Sequence, residues 1–188
     1  MNTLDAMRLR RSIRKFHPKP VPADLLREIV EVSRLYPSGG NHQPIRFGLV
    51  TAPELADAVF TELRWAMYLP DYQIAENQRP TAYIVLLRDA AVRRSCDYDV
   101  GAASTMVMLA ATEKGLSTCP IANFSAPKLS ALLELPESLH PELVIAVGYG
   151  AQESRVVPME DTLRYTQDEA GNFLVPKRSL EEVIVFHQ

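Results

Sequence analysis

A mixed α and β fold, built without regular strand–helix alternation, is what this sequence predicts. Tyr83-Ile84-Val85-Leu86-Leu87 is a continuous apolar run of β-type residues, the pattern of a strand buried on both faces. A second strong strand reads over 143–149. Between them Asp99 opens a long helix carrying Val100, Ala103, Val107, Met108 and Ala111. That helix is apolar on nearly every side, which predicts a central buried helix or one at a subunit interface. The remaining elements do not alternate as a doubly wound sheet requires. A chain of 188 residues with 47% hydrophobic content suits one domain over 1–188.

In chain order, Thr3 can cap a short helix through about Leu9, with Asp5 in its first turn. Residues 11–16 read as extended, leading into the Pro18-Lys19-Pro20 turn. Leu25, Leu26, Ile29, Val30 and Ser33 fall on one helical face that ends at Pro37. Phe47 to Val50 reads as a strand, and a helix follows over about 53–68. The helix opened by Asp99 closes at Gly115, a C′ position. Ser125 opens a short helix with Leu129, Leu132 and Leu133. Segment 151–175 is polar and irregular, with Asp168-Glu169-Ala170-Gly171-Asn172 a turn between two extended pieces. Ser179 and Glu182 form a capping-box pattern, which places a last helix from Leu180 onward.

A net charge of -3 argues against nucleic acid as partner. Cys96 and Cys119 lie far apart with no CxxC, so reduced thiols in a cytoplasmic setting are expected. No apolar stretch approaches the ~20 residues that span a bilayer, and Asp5 stands where a signal peptide would be basic. His17, His42, His140 and His187 show no metal-binding spacing, and neither GxGxxG nor a P-loop occurs. Ser38 lacks a hydrolase elbow context, and Cys119 reads as a buried structural thiol.

Two motifs remain. Arg10-Arg11-Ser12-Ile13-Arg14-Lys15-Phe16 concentrates guanidinium groups and a hydroxyl. Arginine forks bind phosphate oxygens in bidentate fashion. In an extended segment Ser12 and Arg14 share a face, and a junction at Arg10 can swing that side chain toward the same ligand. A solvated basic helix end explains the cluster equally well. The second motif is Pro37-Ser38-Gly39-Gly40-Asn41-His42-Gln43-Pro44. Gly39 and Gly40 permit positive φ, and Pro44 should hold Gln43 extended. The amides of Asn41 and Gln43 can donate and accept, as a pyrimidine-like edge requires, or can satisfy their own loop. Trp65, Tyr68 and Tyr72 read as core aromatics at helical spacing, or as a lid over a planar substrate.

The joint order of these motifs resembles the flavin-dependent nitroreductase family. Glu76-Asn77-Gln78-Arg79-Pro80, Gly115 to Ile121, Gly148-Tyr149-Gly150 and Val175-Pro176-Lys177-Arg178 agree with it over nearly the whole chain. The resemblance implies an α+β fold, a mostly antiparallel central sheet flanked by helices, in an intertwined homodimer with active sites at the subunit interface. It implies non-covalent FMN, with NADH or NADPH as electron donor. Arg10, Arg11 and Ser12 match positions holding phosphate and ribityl chain, and Arg14 a basic position beside flavin N1 and O2. Pro37, Ser38, Gly39, Asn41 and Gln43 match the loop reaching the ring from the partner subunit. Asn77 matches a residue on the pyrimidine edge. Lys177 and Arg178 resemble a C-terminal basic pair at the phosphate. Pro120, Ile121, Ala122 and Asn123 would face the flavin's N5 side, with Ala122-Asn123 in place of a Glu-Gly pair common in the family.

The activity implied is ping-pong reduction of a nitroaromatic, quinone or similar conjugated acceptor, with no catalytic side chain required and no metal. An FMN-binding or storage protein, or an oxygen-dependent enzyme that consumes reduced flavin, is the alternative.

Overall fold

The computed structural model describes residues 1–187. Helix α1 spans Thr3–Leu9, α2 Ala23–Ser33, α3 Pro53–Glu62, α4 Asp97–Glu113, α5 Ala126–Leu132 and α6 Leu180–Val183. Strand β1 spans Ile45–Val50, β2 Ala82–Asp89, β3 Ser117–Ile121, β4 Leu139–Gly148, β5 Ser154–Pro158, β6 Thr166–Gln167 and β7 Phe173–Lys177. The main sheet has the order β1-β2-β4-β3 and is antiparallel throughout. The expected α+β class with a mostly antiparallel sheet is therefore what the chain adopts.

The sheet is covered on both faces, which is why β2 reads as an unbroken apolar run. Ile84, Leu86, Ile145 and Val147 pack under α2 and α4 against Leu26, Ile29, Ala103 and Val107. The alternate residues Tyr83, Val85, Val144 and Ala146 face Val59 of α3, Leu129 of α5, and Ile13 and Phe16. Helix α4 lies on the sheet through Ala103, Val107 and Ala111, while Tyr98, Gly101 and Thr105 form an exposed ridge.

Three expectations shift here. Asn2, not Thr3, caps α1, its side chain accepting the Asp5 N–H at 2.9 Å. Helix α4 starts at Asp97, two residues before Asp99. Helix α3 stops at Glu62 instead of running to Tyr68. There Leu63 turns extended and bridges Phe124, and the Arg64 N–H donates to the Asn123 carbonyl at 2.9 Å. Pairing across the fold overrides helical continuation. Strand β3, for which the sequence carried no expectation, forms with Pro120 inside it; the proline is tolerated because β3 borders the sheet. Gly115, at φ 74°, ends α4 as expected, and the Ser179–Glu182 capping box is present.

Segment 11–16 is extended and pinned. The Ile13 N–H donates to the Thr118 carbonyl at 2.9 Å, and the Phe16 N–H to the Gln78 carbonyl at 2.9 Å. Phe16 is fully buried against the end of β4, where a Cβ on Gly148 would lie 2.8 Å from its ring. Only glycine lets the segment approach so closely. Residues 151–175 fold into a small sheet, with β5 parallel to β7 and β6 antiparallel to it. The Asp168–Asn172 turn holds as expected, the Asn172 N–H donating to the Asp168 carboxylate at 2.8 Å.

Candidate functional site

Arg10 and Arg11 sit where α1 gives way to the extended segment. Both are half-buried and line a cleft of about 310 Å³ with Thr112, Ser117, Ser154 and Arg155. Among the described residues neither forms an ion pair. Burial, and then the neighbouring charge of Arg11, hold the Arg10 guanidinium below its ordinary pKa. Glu153 also borders the cleft, but its carboxylate is bonded to Arg155 at 2.7 Å. Two crowded cations without a counterion make a ready anion site.

Strand β3 leads from this cleft to a second one. Ser117 lines the first; Cys119, Pro120 and Ile121 line a cavity of about 550 Å³ together with Ala122, Asn123, Arg14, Arg64, Trp65, Met67 and Tyr165. The strand rise puts about 13 Å between Ser117 and Ile121. Arg14 is held in the wall by aromatic faces: its guanidinium carbon lies 4.4 Å from the Phe173 centroid and 4.8 Å from that of Tyr165. Behind it burial pushes the Cys119 thiol up to about 11, partly offset by Arg14, so the thiol is protonated and inert. Ser12 shares the segment, its carbonyl 3.4 Å from the Arg14 guanidinium.

The loop 37–43 is clamped from within. Ser38 Oγ donates to the buried Asp99 carboxylate at 2.5 Å and accepts the Gln43 N–H at 3.0 Å. Gly40, Asn41 and Gln43 take φ of 60°, 55° and 50°. Gln43 is thus left-handed rather than extended as its following proline suggested; the Ser38 contact and a 2.9 Å bond from its amide to Asn41 offset the strain. Gly39 meets Arg93, whose guanidinium is 3.5 Å from its carbonyl, and Pro37 and Asn41 are exposed.

The two motifs do not meet inside one chain. Thr112 of α4 borders the Arg10–Arg11 cleft while Ser38 bonds Asp99 at the other end of that helix. The helical rise between those positions is about 20 Å. Asn77 lies exposed in the 3₁₀ turn Glu76–Gln78, beside the Phe16–Gln78 bond. Lys177 ends β7, exposed, and Arg178 stands 3.8 Å from Glu182; neither lines the arginine cleft, where Arg155 stands instead.

A family profile described as the nitroreductase family matches residues 7–149. The chain belongs to the nitroreductase family. Among its relatives, a Methanothermobacter thermautotrophicus protein, provisionally named an NADH dehydrogenase/NAD(P)H nitroreductase, is 26% identical over 160 residues, covering 81% of this chain and 79% of its own. An NADH dehydrogenase of Thermus thermophilus is 28% identical over 183 residues, covering 80% and 89%. The crystal structure of a variant of an FMN- and NADPH-dependent nitroreductase from a Sphingopyxis species superposes with a TM-score of 0.72 over all of both chains at 22% identity, which establishes the shared fold.

In this nitroreductase-family chain the site contains residues that sequence reasoning passed over. Tyr165 and Phe173 come from the polar segment 151–175 and have no periodic signal of their own. Arg64 lay in a stretch read as helix; its neighbour Trp65, weighed as either core or lid, borders the cavity and packs on Phe60 at 5.5 Å. Tyr68 and Tyr72 instead form an aromatic backing, 5.0 Å from Tyr165 and 5.4 Å from Phe173 respectively.

Proposed function

We propose that this chain is an NAD(P)H-dependent FMN oxidoreductase acting on small conjugated acceptors. The observation that carries the reading is the uncompensated Arg10–Arg11 pair at one end of β3, with the Arg14 cavity at the other. One elongated ligand with an anionic end and a flat polar ring suits that spacing. Thr112 and Ser117 supply hydroxyls beside the arginines, and Trp65, Pro120 and Ala122 supply flat walls. The residues present therefore fit FMN, and the activities for which the relatives are named agree.

Arg10 and Arg11 hold the phosphate, with Ser12 fixing their segment. Arg14 presents a cation to the pyrimidine side of the ring and favours negative charge there. Asn77 reaches the pyrimidine edge, and the backbone at Pro120, Ile121, Ala122 and Asn123 borders the ring. Lys177 and Arg178 add positive charge near the phosphate in the assembled protein. Held by these residues, FMN would supply the hydride chemistry between NADH or NADPH and a nitroaromatic, quinone or similar molecule, in ping-pong order.

The loop residues Pro37, Ser38, Gly39, Asn41 and Gln43 complete the site from a second subunit, which the separation along α4 favours. Exposed apolar groups support a homodimer: Leu4 and Met7 of α1, and Val185 and Phe186 of the tail at 90% and 81% exposure. No helix among the described residues is long and apolar enough to cross a membrane. Cytoplasmic residence fits the two reduced, buried thiols.

Light scattering and an FMN titration test both parts. A dimer binding one FMN per chain is expected. Mixing an Arg10 variant with an Asn41 variant should restore FMN sites that neither holds alone. A monomer that takes up no FMN would remove the proposal.

A further inference from the structure

We propose that the cavity shared by Arg14 and Arg64 selects acceptors that carry a negative charge on an aromatic ring, with Arg64 reading the charge. This rests on the proposed FMN site: with the flavin ring on the Arg14 and Pro120–Asn123 side, the rest of the cavity, beside Arg64, Trp65 and Met67, is the acceptor's place. Among the described residues the cavity lining holds two guanidinium groups and no carboxylate, although the chain as a whole carries a net charge of -3.

The two arginines differ in setting. Arg14 is part of the inner wall, stacked on Phe173 and Tyr165 and bonded to the Ser12 carbonyl. Arg64 stands at the mouth. Its side chain is exposed and forms no ion pair among the described residues; its nearest bond is a long one, 3.4 Å, from Nη1 to the Thr61 carbonyl. Yet its backbone is fixed. The Arg64 N–H is bonded to the Asn123 carbonyl, Leu63 bridges Phe124, and Ala66 turns the chain back at φ 49°. A long cationic side chain is thus mounted on a rigid base beside an apolar slot.

On the outer side of the cavity that slot is bounded by Trp65 and Met67, and a flavin ring held against the Pro120–Asn123 wall would close its other side; such surfaces accept a flat ring by area and shape rather than by hydrogen bonds. A ring seated there would extend a carboxylate or similar group toward Arg64, which pairs with it in bidentate fashion. A neutral ring of the same size gains the slot but not the fork. Discrimination then comes from charge, and salt should weaken it because the mouth is open to solvent.

A matched pair of probes, 4-nitrobenzoate and 4-nitrobenzyl alcohol, separates charge from ring. Calorimetry on the FMN-loaded protein should show the carboxylate bound about tenfold more tightly than the alcohol, a difference at the low end for a charged hydrogen bond. Arg64→Ala should bring that ratio to near unity, and Arg64→Glu should invert it. High salt should shrink the wild-type ratio. A ratio that is the same in wild type and both variants would overturn the proposal. Reduction of the probes is measured separately. Equal kcat/KM for both probes in all three proteins overturns charge selection and leaves the oxidoreductase reading standing. Charge-selective binding without reduction of either probe supports Arg64 and overturns the reductase reading instead.

Discussion

Arg10→Met separates a ligand-holding arginine from a structural one by the opposite signs of two effects. The substitution keeps the apolar stem and removes the charge. Arg10 is half-buried, has no carboxylate partner among the described residues, and is disfavoured as a cation by burial and by Arg11. Repulsion between two unit charges at neighbouring-side-chain distances, in a partly solvated setting, is about 1 kcal/mol. Relieving it raises the melting temperature of flavin-free protein by about 2–4 °C for a chain of this size. With FMN the sign reverses. Loss of a charge-assisted bond to phosphate costs about 1.5–3 kcal/mol, or roughly 10- to 150-fold in Kd. Circular dichroism melts without FMN, and flavin fluorescence titrations, read the two effects independently. A lower melting temperature together with unchanged FMN affinity would show that Arg10 serves the fold alone and would refute the reasoning.

Arg11→Ala should likewise weaken FMN retention by about 1.5–3 kcal/mol, measured by the same titration. Gly148→Ala drives a methyl to 2.8 Å from the fully buried Phe16 ring and should cost about 1–3 kcal/mol in urea unfolding; a cost near zero would show the segment free to move. Ser38→Ala leaves the buried Asp99 carboxylate without its donor and should cost about 1.5–3 kcal/mol, with unchanged stability the contrary result. The Cys119 thiol, pushed up to about 11 by burial, lies above the ordinary value of about 8.5. Its folded pKa is raised, so its contribution is complete below the unfolded value and fades as pH rises through about 11. Iodoacetamide at mildly alkaline pH should therefore label Cys119 only after unfolding; rapid labelling of native protein would contradict its burial.

The parts of the fold legible in the sequence are those where one local pattern has one physical solution. The run at 83–87 is apolar on both faces because helices cover both, and Ser179 with Glu182 caps a helix by side chains alone. Where distant chain segments decide, the sequence misleads. Nothing local to residues 63–68 reveals that Leu63 will pair with Phe124 and end α3. Gln43 obeys Ser38 rather than its following proline. The arginine cluster and the Ser38–Gln43 loop were both recognisable as unusual polar segments. Their separation along α4 was implied only by the family resemblance, which assigns the loop to a partner subunit; no local pattern reveals it, since it depends on packing α1 and the loop against opposite ends of one helix. Arg14 was visible too, but its aromatic supports Tyr165 and Phe173 arrive from a segment without periodicity.

The absorption spectrum of the purified, FMN-supplemented protein, recorded anaerobically before and after NADH or NADPH, tests the central claim most directly. The account predicts bound-flavin absorbance that bleaches on addition of the nicotinamide and returns when a nitroaromatic or quinone is added. Protein that stays colourless after FMN and desalting, or flavin that neither nicotinamide bleaches, would contradict it.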